Sequence, residues 1–268
     1  MEALYVVLSP RAEKTKLTGK DAPKVPPESM ALYSFKRAAD DMKELARQLG
    51  APKIILGGHD WGGAIVARVV LHHPDLVSHL FSICTPYFPP SQTYKSVEEL
   101  VQGLPNFTYQ VQLAGPDVEA NIQGKEKIRQ FLNALYGGAN ERREQGFDGN
   151  ILLLFANLPK ELDFYVEQYS RNGVHGPLNW YRTRRQNFED EKDMDPKTTF
   201  DLPFLFVQAT DDAALPPAMS QAMPHFFSNM TKKEVAAGHW VNWQKPEEIN
   251  AILKEWIAAT VFGDKSKL

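Results

Sequence analysis

The segment Ile54-Ile55-Leu56 runs into Gly57-Gly58-His59-Asp60-Trp61-Gly62-Gly63, and Ala64-Ile65-Val66-Ala67 follows at once. The first run suits a buried parallel strand, and the residues from about Gly63 to His73 read as a helix stopped by Pro74. Few folds accept so abrupt a turn. A strand that ends in Gly-x-nucleophile-x-Gly and opens directly into a helix is strained at its centre, so the neighbours must be small. Gly58, Gly62 and Gly63 meet that need. The turn lifts the Asp60 carboxylate to a helix N-terminus, where free N–H groups and the helix dipole favour negative charge.

An aspartate at this position selects the chemistry. A serine would attack acyl carbonyls. A carboxylate attacking an ester would give an anhydride, a poor resting point. Attack on saturated carbon gives an alkyl ester, which can accumulate and then be hydrolysed. Esterase, lipase and protease activities are therefore disfavoured. The bland alternative is a glycine turn in which Asp60 only caps a helix.

The rest of the chain alternates strand and helix around a helical middle. Ser34 to Leu49 has apolar residues at helical spacing, with Gly50 as its stop. Val77 to Ile83 and Phe204 to Val207 read as strands, Glu234 to Ala236 as a short one, and Leu4 to Leu8 as one early strand. Helices are expected at Ala218 to Met223 and from Pro246 to about Thr260. Between residues 91 and 198 no strand-like run occurs. This pattern implies an α/β fold with a mostly parallel sheet and a helical cap. The expected units are core residues 1–88, cap residues 89–198 and core residues 199–268. Residues 9 to 30 read as a loop.

A base and an orienting acid should follow the nucleophile in chain order. Of seven histidines, His239 in Gly238-His239-Trp240 has the late, strand-to-loop position that a base needs. His72 and His73 lie at a helix end, and His59 lies inside the turn. Asp211 and Asp212 both follow the strand that ends near Val207, and either carboxylate could hold the imidazole. No metal-ligand spacing is present.

Composition narrows the partners. A net charge of -3 gives no reason to expect nucleic acid or an anionic membrane surface. The clusters Arg142-Arg143 and Arg182 to Arg185 read as solvated helix faces. The single cysteine, Cys84, excludes an internal disulfide. No signal peptide is expected, and Ile151 to Ala156 is too short for a bilayer, which takes about 20 residues; it reads as a buried helix. The terminal Ser266-Lys267-Leu268 matches a peroxisomal address, which implies an import receptor as partner.

The elbow, the stretch Gly176-Pro177-Leu178-Asn179-Trp180-Tyr181-Arg182 and Gly238-His239-Trp240 together resemble the soluble epoxide hydrolases of the α/β-hydrolase fold. The resemblance covers about residues 20 to 262. It implies Asp60 as nucleophile and His239 as base, and it selects Asp212 as the acid through the spacing Asp212, Leu215, Pro217. It implies that Tyr181 protonates the epoxide oxygen. Trp61 is implied as an oxyanion donor through its N–H and as a pocket wall through its indole. Leu178, Trp180 and Tyr109 would line a site for an apolar epoxide. No cofactor is implied.

Two departures from the family pattern stand out. A second cap tyrosine is usual; the stretch Phe107 to Gln112 resembles the segment that carries it, and Gln112 stands at its position, with Tyr109 three residues earlier. Gln112 can donate a hydrogen bond but not a proton. The family also has a His-Gly-x-Pro strand end that supplies a second oxyanion N–H, and no His-Gly pair precedes Asp60 here. A reduced N-terminal half-sheet is therefore expected, with the elbow strand near a sheet edge and association into a homo-oligomer as one way to cover it. Two alternatives stay open: a catalytically impaired or non-enzymatic relative, and a haloalkane dehalogenase-like enzyme.

Overall fold

The computed structural model describes residues 5–8, 29–136 and 161–263. The Ile151–Ala156 segment, Arg142-Arg143, most of the 9–30 loop and Ser266-Lys267-Leu268 lie outside them. The described residues fall into two compact units, a sheet-bearing unit of 5–8, 31–94 and 186–263, and a helical unit that includes 95–136 and 161–185.

The sheet has five parallel strands in chain order: β1 (Tyr5–Leu8), β2 (Ile54–His59), β3 (Val77–Ile83), β4 (Phe204–Ala209) and β5 (Met230–Val235). Strands β2 and β4 are buried along their whole length, as apolar runs covered on both faces should be. β5 is an edge, and its exposed Lys232, Lys233 and Glu234 discourage further pairing. β1 pairs with β2 from Tyr5 opposite Ile55 to Leu8 opposite Gly58. Among the described residues the elbow strand thus lies second in the sheet, near its edge as expected and covered there by β1.

Helix α1 (Phe35–Gln48) starts at Ser34, whose hydroxyl accepts from the Arg37 N–H, a cap worth about 1 kcal/mol. It ends at Gly50, which has φ +65°; the Gly50 and Ala51 N–H groups turn back to the Arg47 and Ala46 carbonyls. Glycine takes that conformation without a Cβ clash. Helix α2 (Trp61–His72) packs on β2 and α1. After β5 come α10 (Val241–Gln244) and α11 (Pro246–Thr260). One expected helix is absent: residues 218–223 form two short 3₁₀ turns, Pro217–Ser220 and Met223–His225. Pro224 lacks an N–H donor, and its ring disfavours the α conformation at Met223 and crowds the Ser220 carbonyl, so a continuous α-helix is interrupted there.

The helical unit contains α3 (Val97–Gly103), α4 (Tyr109–Ala114), α5 (Pro116–Asn121), α6 (Gly124–Leu135), α7 (Glu161–Asn172) and α8 (His175–Arg182). Its own core includes Leu113, Leu132, Val166 and Leu178. Leu178 therefore packs the helical unit from within rather than lining a site. Helix α9 (Arg184–Glu191) leads back, and from residue 186 the chain clusters with the sheet, earlier than the boundary at 198 expected from sequence. The physical reason is polar anchorage. Asn187 accepts from the Phe35 N–H at 2.8 Å, and buried Glu191 takes Arg68 at 2.8 Å.

Candidate active site

The last residue of β2 and the first of α2 frame Asp60, which has φ 54° and ψ −125°. A non-glycine residue held there stores about 1–3 kcal/mol of strain. The surroundings enforce it. A Cβ on Gly58 would lie 2.2 Å from the Gly62 carbonyl oxygen, and one on Gly63 would lie 2.6 Å from Thr85 Cβ. The Thr85 hydroxyl donates to the Asp60 carbonyl at 2.7 Å, tying the turn to the end of β3. The Trp61 backbone N–H donates to the Asp60 carboxylate, which leaves one N–H already aimed at the oxygen where an oxyanion would form. The Trp61 indole packs against Phe35, with ring centroids 6.0 Å apart.

The expected acid and base come from the loops after the next strands. Beyond β4 and β5 the ladder continues: the Thr210 N–H donates to the Val235 carbonyl and the Asp211 N–H to the Ala237 carbonyl. This zips the loop of the acid to the loop of the base. Asp212 turns inward and is fully covered, while Asp211 is exposed. Oδ1 of Asp212 accepts the Ala214 and Leu215 N–H groups at 2.9 and 2.8 Å. Its Oδ2 lies 2.8 Å from His239 Nδ1, and His239 Nε2 lies 3.1 Å from Asp60 Oδ1. The structure thus brings Asp60, His239 and Asp212 into one line.

Electrostatics follow from that line. Burial alone would disfavour a charged His239, but its hydrogen bonds to Asp212 and Asp60 push the imidazole up to about 10. Burial likewise opposes both carboxylates, and His239 outweighs it, holding Asp60 and Asp212 below the usual carboxylate range. In the resting state the histidine is an imidazolium between two anions.

Sequence reasoning missed His59. Its ring is buried, and its Nε2 lies 2.8 Å from the His239 carbonyl oxygen. Cys84, at φ 65° beyond β3, donates its thiol to the same carbonyl at 3.5 Å. Position next to the nucleophile was the one available signal. Burial pushes the Cys84 thiol upward, so it stays a neutral donor.

Tyr181 and Tyr109 belong to the helical unit. Their rings meet edge-on, with centroids 6.2 Å apart. Gln112, which the resemblance put in the second donor's place, is exposed on the last turn of α4. The side chain whose ring meets Tyr181 is Tyr109, at the first residue of α4, while Gln112 is exposed one turn later. Arg182, expected on a solvated face, is instead largely covered and engaged.

Comparison with known proteins agrees with this geometry. A family model described as alpha/beta hydrolase fold matches residues 18–246. The epoxide hydrolase srdG of Neurospora crassa is 37% identical over 253 residues, covering 86% of this chain and 74% of that protein. A bifunctional epoxide hydrolase 2 of Sus scrofa is 32% identical; the match covers 87% of this chain but 43% of that longer protein. The crystal structure of epoxide hydrolase A from Mycobacterium thermoresistibile superposes with a TM-score of 0.71 at 26% identity, covering 87% of this chain and 77% of that one. The family match over residues 18–246 and the similarity to these epoxide hydrolases lead to one assignment: this chain is a hydrolase of the α/β-hydrolase fold and belongs to its epoxide hydrolase family.

Proposed function

We propose that the protein converts an apolar organic epoxide to a diol through an alkyl ester on Asp60. The observation that carries this reading is the line of Asp60, His239 and Asp212, with Nε2 of the imidazole 3.1 Å from the nucleophile.

In the first step an Asp60 oxygen attacks a ring carbon. The new carbon–oxygen bond forms as the ring bond breaks, and the departing alkoxide takes a proton from Tyr181 while Tyr109 donates a second hydrogen bond. Esterification removes the Asp60 charge. One of the two anions that raise the His239 pKa is then gone, and the imidazolium releases its proton, which returns by way of solvent to the Tyr181 phenolate. The neutral imidazole, held by Asp212, is now a base.

In the second step His239 takes a proton from water, and the hydroxide attacks the Asp60 carbonyl carbon. The Trp61 N–H stabilises the oxyanion. The acyl–oxygen bond breaks, the other water proton leaves with the diol, and Asp60 is again a carboxylate beside protonated His239. The test is a single turnover of styrene oxide in heavy-oxygen water. The label enters Asp60 rather than the diol, and Asp60→Asn forms no diol. Turnover that survives Asp60→Asn would sink the reading. An ester that forms but never releases diol would limit the activity to its first half.

The tripeptide Ser266-Lys267-Leu268 extends the proposal to a peroxisomal destination. Loss of import on deleting Leu268 from a fluorescent fusion tests it; unchanged peroxisomal targeting would reject it.

A further inference from the structure

Arg182 follows Tyr181 at the end of α8 and keeps only 15% of its side chain exposed. Its Nε and Nη2 donate to the carbonyls of Ala114 and Gly115, each at 3.1 Å. Those are the last residue of α4 and the residue that caps it. Nη1 donates to Glu119 Oε2 at 2.8 Å and to Asn179 Oδ1 at 3.3 Å. The other Glu119 oxygen meets His175 Nδ1 at 2.6 Å. Helix α4 opens on Tyr109 and α8 closes on Tyr181 and Arg182, and the two helices pack together.

We infer that Arg182, oriented by Glu119, is a positioning residue that sets the spacing of the Tyr109 and Tyr181 phenols for epoxide opening. The inference rests on the reading of both phenols as donors to the epoxide oxygen.

The physical case has three parts. A helix end leaves carbonyls without partners, and a cation there complements the dipole. At six residues, α4 is too short to hold itself in place, so whatever grips its end decides where Tyr109 lies. Two successive carbonyls are matched by the planar fork of an arginine and not by the point charge of a lysine. Glu119 engages a third nitrogen and stops the fork from rotating. Burial works against its carboxylate, yet Arg182 and His175 hold it below the usual range. Catalytic donors tolerate little error, since a misplacement of about 1 Å can cost on the order of 100-fold in rate.

The test uses the full chain with Arg182→Lys, Glu119→Gln and Tyr181→Phe variants, mixed with styrene oxide and sampled in time by intact mass. Ester formation on Asp60 and release of diol are read separately. Arg182→Lys is expected to slow ester formation by about 10- to 100-fold while ester decay, which depends on His239 and Asp212, is unchanged. Glu119→Gln keeps an acceptor for Arg182 and should show a smaller loss in the same step; it carries the test if the lysine variant does not fold. Unchanged ester formation in both variants, with Tyr181→Phe slowed, overturns the inference and leaves the phenol reading standing. Equal losses in ester formation and decay would reduce the cluster to a structural role and also overturn it. Equal opening by the parent and Tyr181→Phe removes the phenol reading, and the inference with it.

Discussion

The ring Nε2 of His59 lies 2.8 Å from the backbone carbonyl oxygen of His239, so the residue before Asp60 holds the residue proposed as its base. A carbonyl can only accept, which fixes the proton on Nε2. Burial, reinforced by the neighbouring His239 charge, pushes His59 down to about 4, and it stays neutral. His59→Leu should leave that carbonyl without its N–H donor. The expected cost is about 1–3 kcal/mol in denaturant unfolding, together with slower decay of the Asp60 ester. His59→Gln, which keeps an N–H, should recover part of both. Equal ester decay in the parent and the leucine variant would refute the role.

His239→Gln should separate the two half-reactions. Asp60 keeps its nucleophilic oxygen, so one equivalent of epoxide is expected to add to it. Diol release should fall by about 10²- to 10⁴-fold, the usual worth of a positioned base. Mass analysis after single turnover reads both quantities. Diol formation at the parent rate would reject His239 as the base.

The pH dependence of stability has a definite sign. The folded His239 value, about 10, lies above its unfolded value of 6.5. Its stabilisation is therefore complete below pH 6.5 and fades as pH rises through about 10. Asp60 and Asp212 run the other way: both are held below 3.8, so they stabilise above that pH and lose the contribution as pH falls through their lowered values. Denaturant unfolding of the parent and His239→Gln should show a gap that is widest in weakly acidic solution and narrows toward pH 10. A gap independent of pH would contradict the charged line.

Tyr181→Phe and Tyr109→Phe should each slow ester formation, by about 10²-fold for the proton donor Tyr181 and less for Tyr109. Gln112→Ala should leave the rate unchanged, because that side chain is exposed. Rapid-mixing measurements of ester formation decide between the two. Loss with Gln112→Ala but not with Tyr109→Phe would restore Gln112 as the second donor.

Much of this protein was legible in the order of its residues. The elbow reads directly because only glycines tolerate backbone at 2.2 Å from a Cβ position, as at Gly58. Strand β3 and helix α11 match their expected bounds, since apolar runs and a proline start report burial and helix entry locally. Asp60, the late histidine and a pair of adjacent carboxylates were equally visible. The resemblance had already selected Asp212 over Asp211; the tertiary structure supplied the physical reason for that choice and settled contacts that the sequence left open. Asp212 rather than Asp211 faces His239, because two loop N–H groups turn its carboxylate inward. The Tyr109 ring meets Tyr181 while Gln112, one turn further on, is left exposed, an outcome set by how α4 packs on α8. His59 and Arg182 acquired partners 180 and 68 residues away in sequence, His239 and Ala114. Local periodicity reports which residues are covered; which polar atoms meet under that cover is fixed by the packing of distant segments.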